Sequence, residues 1–154
     1  MAGQELSGQV AIVTGGTRGL GLACANKLVS AGAQVVVTGL DQARGAAAAK
    51  SIGPSAHFVR QDVSRSNDWP AVMNTAAELG PLRTIVANAG ICNFVPLESM
   101  DLKAFRALME INLKGTFLSL KHAVAAMRDH GKGGSIIMMS SVMGRMSAPA
   151  NVRY

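Results

Sequence analysis

Residues 10–21 read Val10-Ala11-Ile12-Val13-Thr14-Gly15-Gly16-Thr17-Arg18-Gly19-Leu20-Gly21. The short, largely β-branched run at 10–13 predicts a strand, and the glycine cluster predicts a tight turn. Small and apolar residues then recur at helical intervals over 20–29, until Gly32. Glycines between a strand and a helix let backbone N–H groups approach an anion at the helix N-terminus. The pattern is T-G-x-x-x-G-x-G, not the dinucleotide fingerprint G-x-G-x-x-G. Taken alone, it also fits an ordinary glycine-rich turn.

The same alternation continues outward. Val35, Val36 and Val37 predict a second strand, and the alanine-rich stretch 42–52 predicts a helix stopped by Gly53 and Pro54. Residues 57–60 read as a third strand. Residues 67–79 read as a helix that tolerates Pro70 in its first turn. Residues 82–87 read as a fourth strand, followed by the turn Asn88-Ala89-Gly90. Asp101 is expected to cap a helix reaching about Asn112. A second helix is expected over 113–129 and a fifth strand over 135–140, with 141–154 loop-like. Nearly continuous apolar strands alternating with helices predict an α/β, doubly wound, Rossmann-like parallel sheet with helices on both faces. Right-handed crossovers then bring Gly15, Gly39, Asp62, Asn88 and Ser141 to one edge of that sheet.

Composition excludes several other classes. With 154 residues, the chain suits one domain. Hydrophobic residues make up 49% and charged residues 16%, enough apolar matter for a packed core. The net charge of +6 comes from scattered basic residues without a run or an aromatic-interleaved stripe, which argues against nucleic acid. No apolar stretch approaches the roughly 18 residues of a membrane span, and the N-terminus lacks the features of a signal peptide. No membrane partner is expected, and a cytoplasmic location is. Cys24 and Cys92 lack metal or disulfide spacing and are expected to be small buried groups in a reducing compartment. His57, His122 and His130 lie far apart, so no metal site is expected, and His122 is expected on a helix face. Met138, Met139, Met143 and Met146 are expected to fill core and pocket.

These motifs together resemble the short-chain dehydrogenase/reductase family, in its single-domain branch. The glycine pattern is similar to the family's cofactor loop, through Gly15, Thr17, Arg18, Gly19 and Leu20. Asp62-Val63 matches the family's adenine-contacting position. Asn88-Ala89-Gly90 matches its N-A-G motif, with Ala87 where Asn is commoner. Asn112, after Ile111, matches the catalytic Asn, and Ser141 the catalytic Ser. Tyr154, 13 residues beyond Ser141, matches the catalytic Tyr. The resemblance implies an oxidoreductase that moves hydride between a nicotinamide cofactor and a secondary alcohol or ketone. The substrate would be a small molecule of 3-oxoacyl, polyol, sugar or steroid type. Tyr154 would be the proton donor, Ser141 the donor to the carbonyl, and Asn112 the holder of a relay water. A phenol of pKa near 10 fills that role only when its pKa is lowered.

Cofactor preference follows from the end of the second strand. An acidic residue there would bond a ribose 2′-hydroxyl and repel a 2′-phosphate. Gly39 occupies the position, and Arg18 and Arg44 stand near, which favours NADP(H) over NAD(H). Asp41, two residues further on, and Leu40, where NADP-preferring members of the family often carry Arg, are the contrary features. In the family, a Lys one helical turn beyond the Tyr lowers its pKa, and the sequence stops before that position. The expectation is therefore a single domain over 1–154 that is incomplete at its C-terminus. A non-catalytic dinucleotide-binding or interaction module, or an inactive fragment, is the alternative. The resemblance also implies a subunit interface on the helix around Phe117, hence a homodimer or homotetramer of the complete chain.

Overall fold

The computed structural model describes residues 5–92 and 95–142; Met143, Met146 and Tyr154 lie outside the described residues. Five strands form one sheet in the order β3-β2-β1-β4-β5, and every pairing is parallel. They are β1 (Val10–Val13), β2 (Gln34–Gly39), β3 (Ala56–Arg60), β4 (Leu82–Ala87) and β5 (Ser135–Met138). The helices are α1 (Gly19–Ser30), α2 (Gln42–Ile52), α3 (Trp69–Leu79), α4 (Leu102–Met109) and α5 (Gly115–Asp129). Winding runs outward from β1 to β3 and then restarts at β4 on the other side of β1. The strand order therefore reverses between β1 and β4, where such sheets open a crevice at their C-terminal edge.

Side-chain alternation builds a core on each face. Val10 and Ile12 of β1, Val36 of β2 and Ile85 of β4 pack with Trp69 and Val72 of α3 and with Leu118 and Met127 of α5. Ala11, Val13, Val35, Val37 and Val86 face the other way, toward Ala25 and Leu28 of α1 and Ala49 and Ile52 of α2. Burying each such Val or Ile fully stabilises the fold by about 1.5–3 kcal/mol. α2 approaches β3 closely: a methyl group at Gly45 would overlap the Phe58 ring. That contact explains a glycine inside an otherwise alanine-rich helix. Asp41 caps α2 and Asp101 caps α4, each accepting from the backbone N–H three residues on, of Arg44 (2.9 Å) and Ala104 (2.6 Å).

Several expectations need correction. The long helical stretch is not broken between 112 and 113. α4 ends at Met109, and residues Glu110–Lys114 form a π-helical turn that leads directly into α5. β5 ends at Met138, and Ile136, Ile137 and Met138 are exposed among the described residues, so this strand is not covered on both faces. Met138 and Met139 accordingly do not fill the core. Cys92 is exposed, because it follows the cleft loop at Gly90, whereas Cys24 is half-buried against the second core. His122 does lie on a face of α5, half-buried, and there its ring stacks on buried Trp69, centroids 5.1 Å apart, joining α5 to α3. Among the described residues, no helix is long and apolar enough to cross a membrane, and no three His, Cys, Asp or Glu side chains gather around a common point.

Candidate active site

The crevice between β1 and β4 opens into a cleft of about 480 Å³. Its floor is the turn after β1. Gly15 and Gly19 adopt positive φ, 63° and 54°, which favours glycine. An added methyl at Gly15 would lie 2.9 Å from Ala89 Cα, and one at Gly21 would collide with the Gly15 carbonyl oxygen. Among the described residues, nothing lies within 4 Å of such a methyl at Gly19. Arg18, at the N-cap of α1, is extended and offers no side-chain cap. Among the described residues no side chain caps the first N–H groups of α1, an arrangement whose partial positive charge favours an anion.

Asn88 clasps this turn to the end of β4. Its amide donates to the carbonyl oxygens of Thr14 (3.0 Å) and Gly15 (3.2 Å). In return, Thr14 Oγ1 accepts from the backbone N–H of Asn88 (3.0 Å) and of Ala89 (3.1 Å). Two separate sequence motifs are thereby locked into one surface.

The β2–β3 side carries the acidic groups. Asp62 Oδ1 accepts from the N–H (3.0 Å) and hydroxyl (2.7 Å) of Ser64, and its N–H donates to Asp68 Oδ2 (2.8 Å). Trp69 Nε1 donates to the Val63 carbonyl (3.2 Å), so the buried indole holds the next residue of the loop. Burial pushes the His122 imidazole stacked on that indole below its ordinary pKa, with Lys121 adding repulsion. Asp41 stands at the cleft, and its carboxylate is engaged by α2 through Arg44. The Arg44 backbone N–H holds its carboxyl below the usual range; burial opposes this, and the Arg44 guanidinium at 3.4 Å adds to it. Gly39 leaves room for Thr17, whose Cγ2 would lie 2.9 Å from an added methyl.

On the β4–β5 side, Asn112 sits in the π-helical turn. Its Oδ1 accepts from the Ile91 N–H, and its Nδ2 donates to the Ile91 carbonyl, both at 2.9 Å. The Asn112 carbonyl accepts from Thr116 Oγ1 (2.7 Å). Ser141 follows β5 and is half-buried.

Every residue expected on the cofactor side lines the cleft: Gly15, Thr17, Arg18, Gly19 and Leu20 from the turn, Gly39 and Leu40 after β2, Asp62 and Val63 after β3, Asn88, Ala89 and Gly90 after β4, and Ile111 from the π-helical turn. Asn112 and Ser141 are not part of that lining, and the position of Tyr154 relative to them lies outside the described residues. Sequence reasoning passed over Thr38, Gln61 and Ile91, which also line the cleft. Gln61 and Thr38 directly precede Asp62 and Gly39, and that adjacency was the available signal.

Comparison with known proteins agrees with this geometry. The sequence model described as short chain dehydrogenase matches residues 9–154. An NADP-dependent (R)-specific alcohol dehydrogenase of Lentilactobacillus kefiri is 43% identical over 97% of this chain and 61% of its own length. A 3-beta-hydroxysteroid dehydrogenase of Comamonas testosteroni is 40% identical over 90% of this chain and 54% of its own. A galactitol 2-dehydrogenase of Agrobacterium fabrum is 34% identical over 92% and 56%. The chain thus spans between about half and three-fifths of the length of these relatives.

Proposed function

The chain belongs to the short-chain dehydrogenase family, and from that premise we propose that it is the cofactor-binding part of an NADP(H)-dependent oxidoreductase acting on secondary alcohols and ketones. The observation that carries this reading is the glycine cradle. Gly15 and Gly21 leave no room for side chains, and among the described residues no side chain caps the N-terminus of α1 and nothing lies within 4 Å of a methyl at Gly19, a shape that fits a dinucleotide pyrophosphate. The nicotinamide, when bound, accepts or delivers the hydride. Tyr154 gives its proton to the oxygen of the ketone being reduced and takes it back in the reverse direction. Ser141 donates a hydrogen bond to that oxygen as its charge develops. Both side-chain polar atoms of Asn112 are engaged by Ile91, so a relay water would meet its main-chain carbonyl instead.

The preference for NADP(H) is supported by Gly39 in place of an acid, by the engagement of Asp41 with α2, and by Arg18 and Arg44 at the cleft. Relatives named as an (R)-specific alcohol dehydrogenase, a hydroxysteroid dehydrogenase and a galactitol 2-dehydrogenase support a secondary alcohol or ketone as substrate. Leu102, Phe105, Leu113, Phe117 and Val124 are exposed along α4, the π-helical turn and α5, which supports a homodimer or homotetramer joined there. An exposed free thiol at Cys92 suits a reducing compartment, and we place the protein in the cytoplasm.

Fluorescence titration with NADPH and NADH, followed by NADPH oxidation in the presence of secondary ketones, tests the reading. Saturable binding that favours NADPH, with ketone-dependent oxidation, is expected. Binding without turnover would favour a non-catalytic dinucleotide module, and absence of binding would overturn the reading.

A further inference from the structure

Trp69 is the only tryptophan of the chain, it is fully buried, and it opens α3 directly after Asp68. The loop before it lines the cleft through Asp62 and Val63. The start of α3 holds the main chain of that loop by two bonds. Asp68 Oδ2 accepts from the Asp62 N–H (2.8 Å), and Trp69 Nε1 donates to the Val63 carbonyl (3.2 Å). A carbonyl held by a side chain from another element keeps its place only as well as that side chain keeps its own.

α5 supplies the lock. Its first residue, Gly115, backs the Val63 side chain so closely that an added methyl would lie 2.7 Å from Val63 Cγ2. Two helical turns on, roughly 10 Å along the axis, the half-buried His122 ring lies against the indole face, 9° from parallel. α5 thus meets the loop twice, once at the Val63 side chain and once, through Trp69, at the Val63 carbonyl. Elsewhere the two helices share apolar packing, with Val72 and Ala76 of α3 in one core with Leu118, Ala123 and Met127 of α5. Such packing has no preferred direction, whereas a stack fixes the plane of the indole and with it the direction of its N–H.

We propose that Trp69 is a positioning residue of the cofactor cleft and that His122 acts through it. The imidazole sets the plane of the indole, the indole N–H sets the Val63 carbonyl, and this wall of the cleft is in place before a dinucleotide arrives. Binding then loses less free energy to ordering the loop. Neither Trp69 nor His122 lines the cleft, so neither is assigned a contact with the cofactor. The proposal rests on the dinucleotide reading given above.

The test measures NADPH affinity by calorimetry for wild type, His122→Ala, His122→Phe, Trp69→Phe and the pair His122→Ala with Trp69→Phe, each with a thermal melt. Trp69→Phe keeps a buried ring and loses the N–H, and is expected to weaken binding about fivefold, as for one lost hydrogen bond. His122→Ala should weaken it about threefold, and His122→Phe, which keeps a ring on the indole, should restore it to within about twofold of wild type. Once Trp69 is Phe, His122→Ala should weaken binding no further, because its effect runs through the indole N–H. The lone indole also gives a single N–H resonance. Its exchange with water should slow when NADPH is added to wild type, and should quicken in His122→Ala. The wild-type exchange measurement decides the proposal if Trp69→Phe fails to fold. An exchange rate indifferent to NADPH, full additivity of the two substitutions, or unchanged affinity in His122→Ala overturns the proposal and leaves the dinucleotide reading standing. Failure of wild type to bind NADPH overturns that reading and this one with it.

Discussion

Asn112 grips Ile91 from both sides, accepting its N–H and donating to its carbonyl at the same distance of 2.9 Å. The pair fixes the loop after β4 against the helical rod, at the point where that rod widens into a π-helical turn. Such turns are frequent at functional sites. Asn112→Leu removes both bonds. A loss of about 1–2 kcal/mol in stability is expected from two partly exposed hydrogen bonds, together with weaker NADPH binding. Urea unfolding and a cofactor titration check the two effects separately.

Gly45 and Phe58 cannot both keep their places if the glycine gains a methyl group. Gly45→Ala is expected to destabilise by about 1–3 kcal/mol despite the better helix propensity of alanine. Adding Phe58→Leu should recover part of the loss. A double-mutant cycle that shows simple additivity would contradict the contact.

His122 sets a pH dependence of stability. Its pKa is lowered in the folded chain, so the unfolded chain binds the proton first as pH falls. The contribution is complete above the ordinary value of 6.5 and is lost as pH falls below it toward the folded value. Unfolding free energies measured on either side of pH 6.5 should differ in wild type and differ less in His122→Phe, which keeps a ring against Trp69.

Gly39 lines the cleft, and in the NADP(H) reading proposed above it stands where an acid would reject a 2′-phosphate. Gly39→Asp is expected to weaken NADPH binding about tenfold or more and to spare NADH, since repulsion acts on one cofactor only. Its added Cβ presses on Thr17, so a small loss common to both cofactors should accompany the switch. Parallel titrations with the two reduced cofactors read the ratio.

Phe117 and Leu113, each 61% exposed, form the apolar centre of the α4–α5 surface. Phe117→Lys is expected to shift an oligomer toward monomer and to leave the NADPH dissociation constant unchanged. Light scattering coupled to size exclusion gives the mass, and an unchanged oligomer would remove this face from the assembly.

Much of this was legible in the sequence. The apolar runs at 10–13, 35–37 and 82–87 predict β1, β2 and β4 because both of their faces are buried, and parallel topology then gathers the loop motifs at one edge. The π-helical turn was not legible. Its residues have ordinary helical composition, and the widening accompanies a tertiary bond from Asn112 to a loop about twenty residues away. β5 misled for a related reason: Ile136, Ile137 and Met138 read as core by hydropathy, yet exposure depends on neighbours that sequence pattern does not name. The His122–Trp69 stack likewise arises from a contact between elements, where local periodicity carries no information.

The strand order also dictates a sequence of events in time. β1, β2 and β3 are consecutive in the chain and pair through short crossovers, so that half-sheet has its partners as soon as it is synthesised. The Thr14 hydroxyl must wait for Asn88, 74 residues later, before the glycine turn acquires its second wall. Closing so long a loop is the slow kind of step, and a chain interrupted before β4 docks would carry a formed turn without a cleft. On the dinucleotide reading proposed above, cofactor capture would be a late milestone of folding, and the first binding of a dinucleotide during refolding is expected to report the docking of β4 rather than the initial collapse.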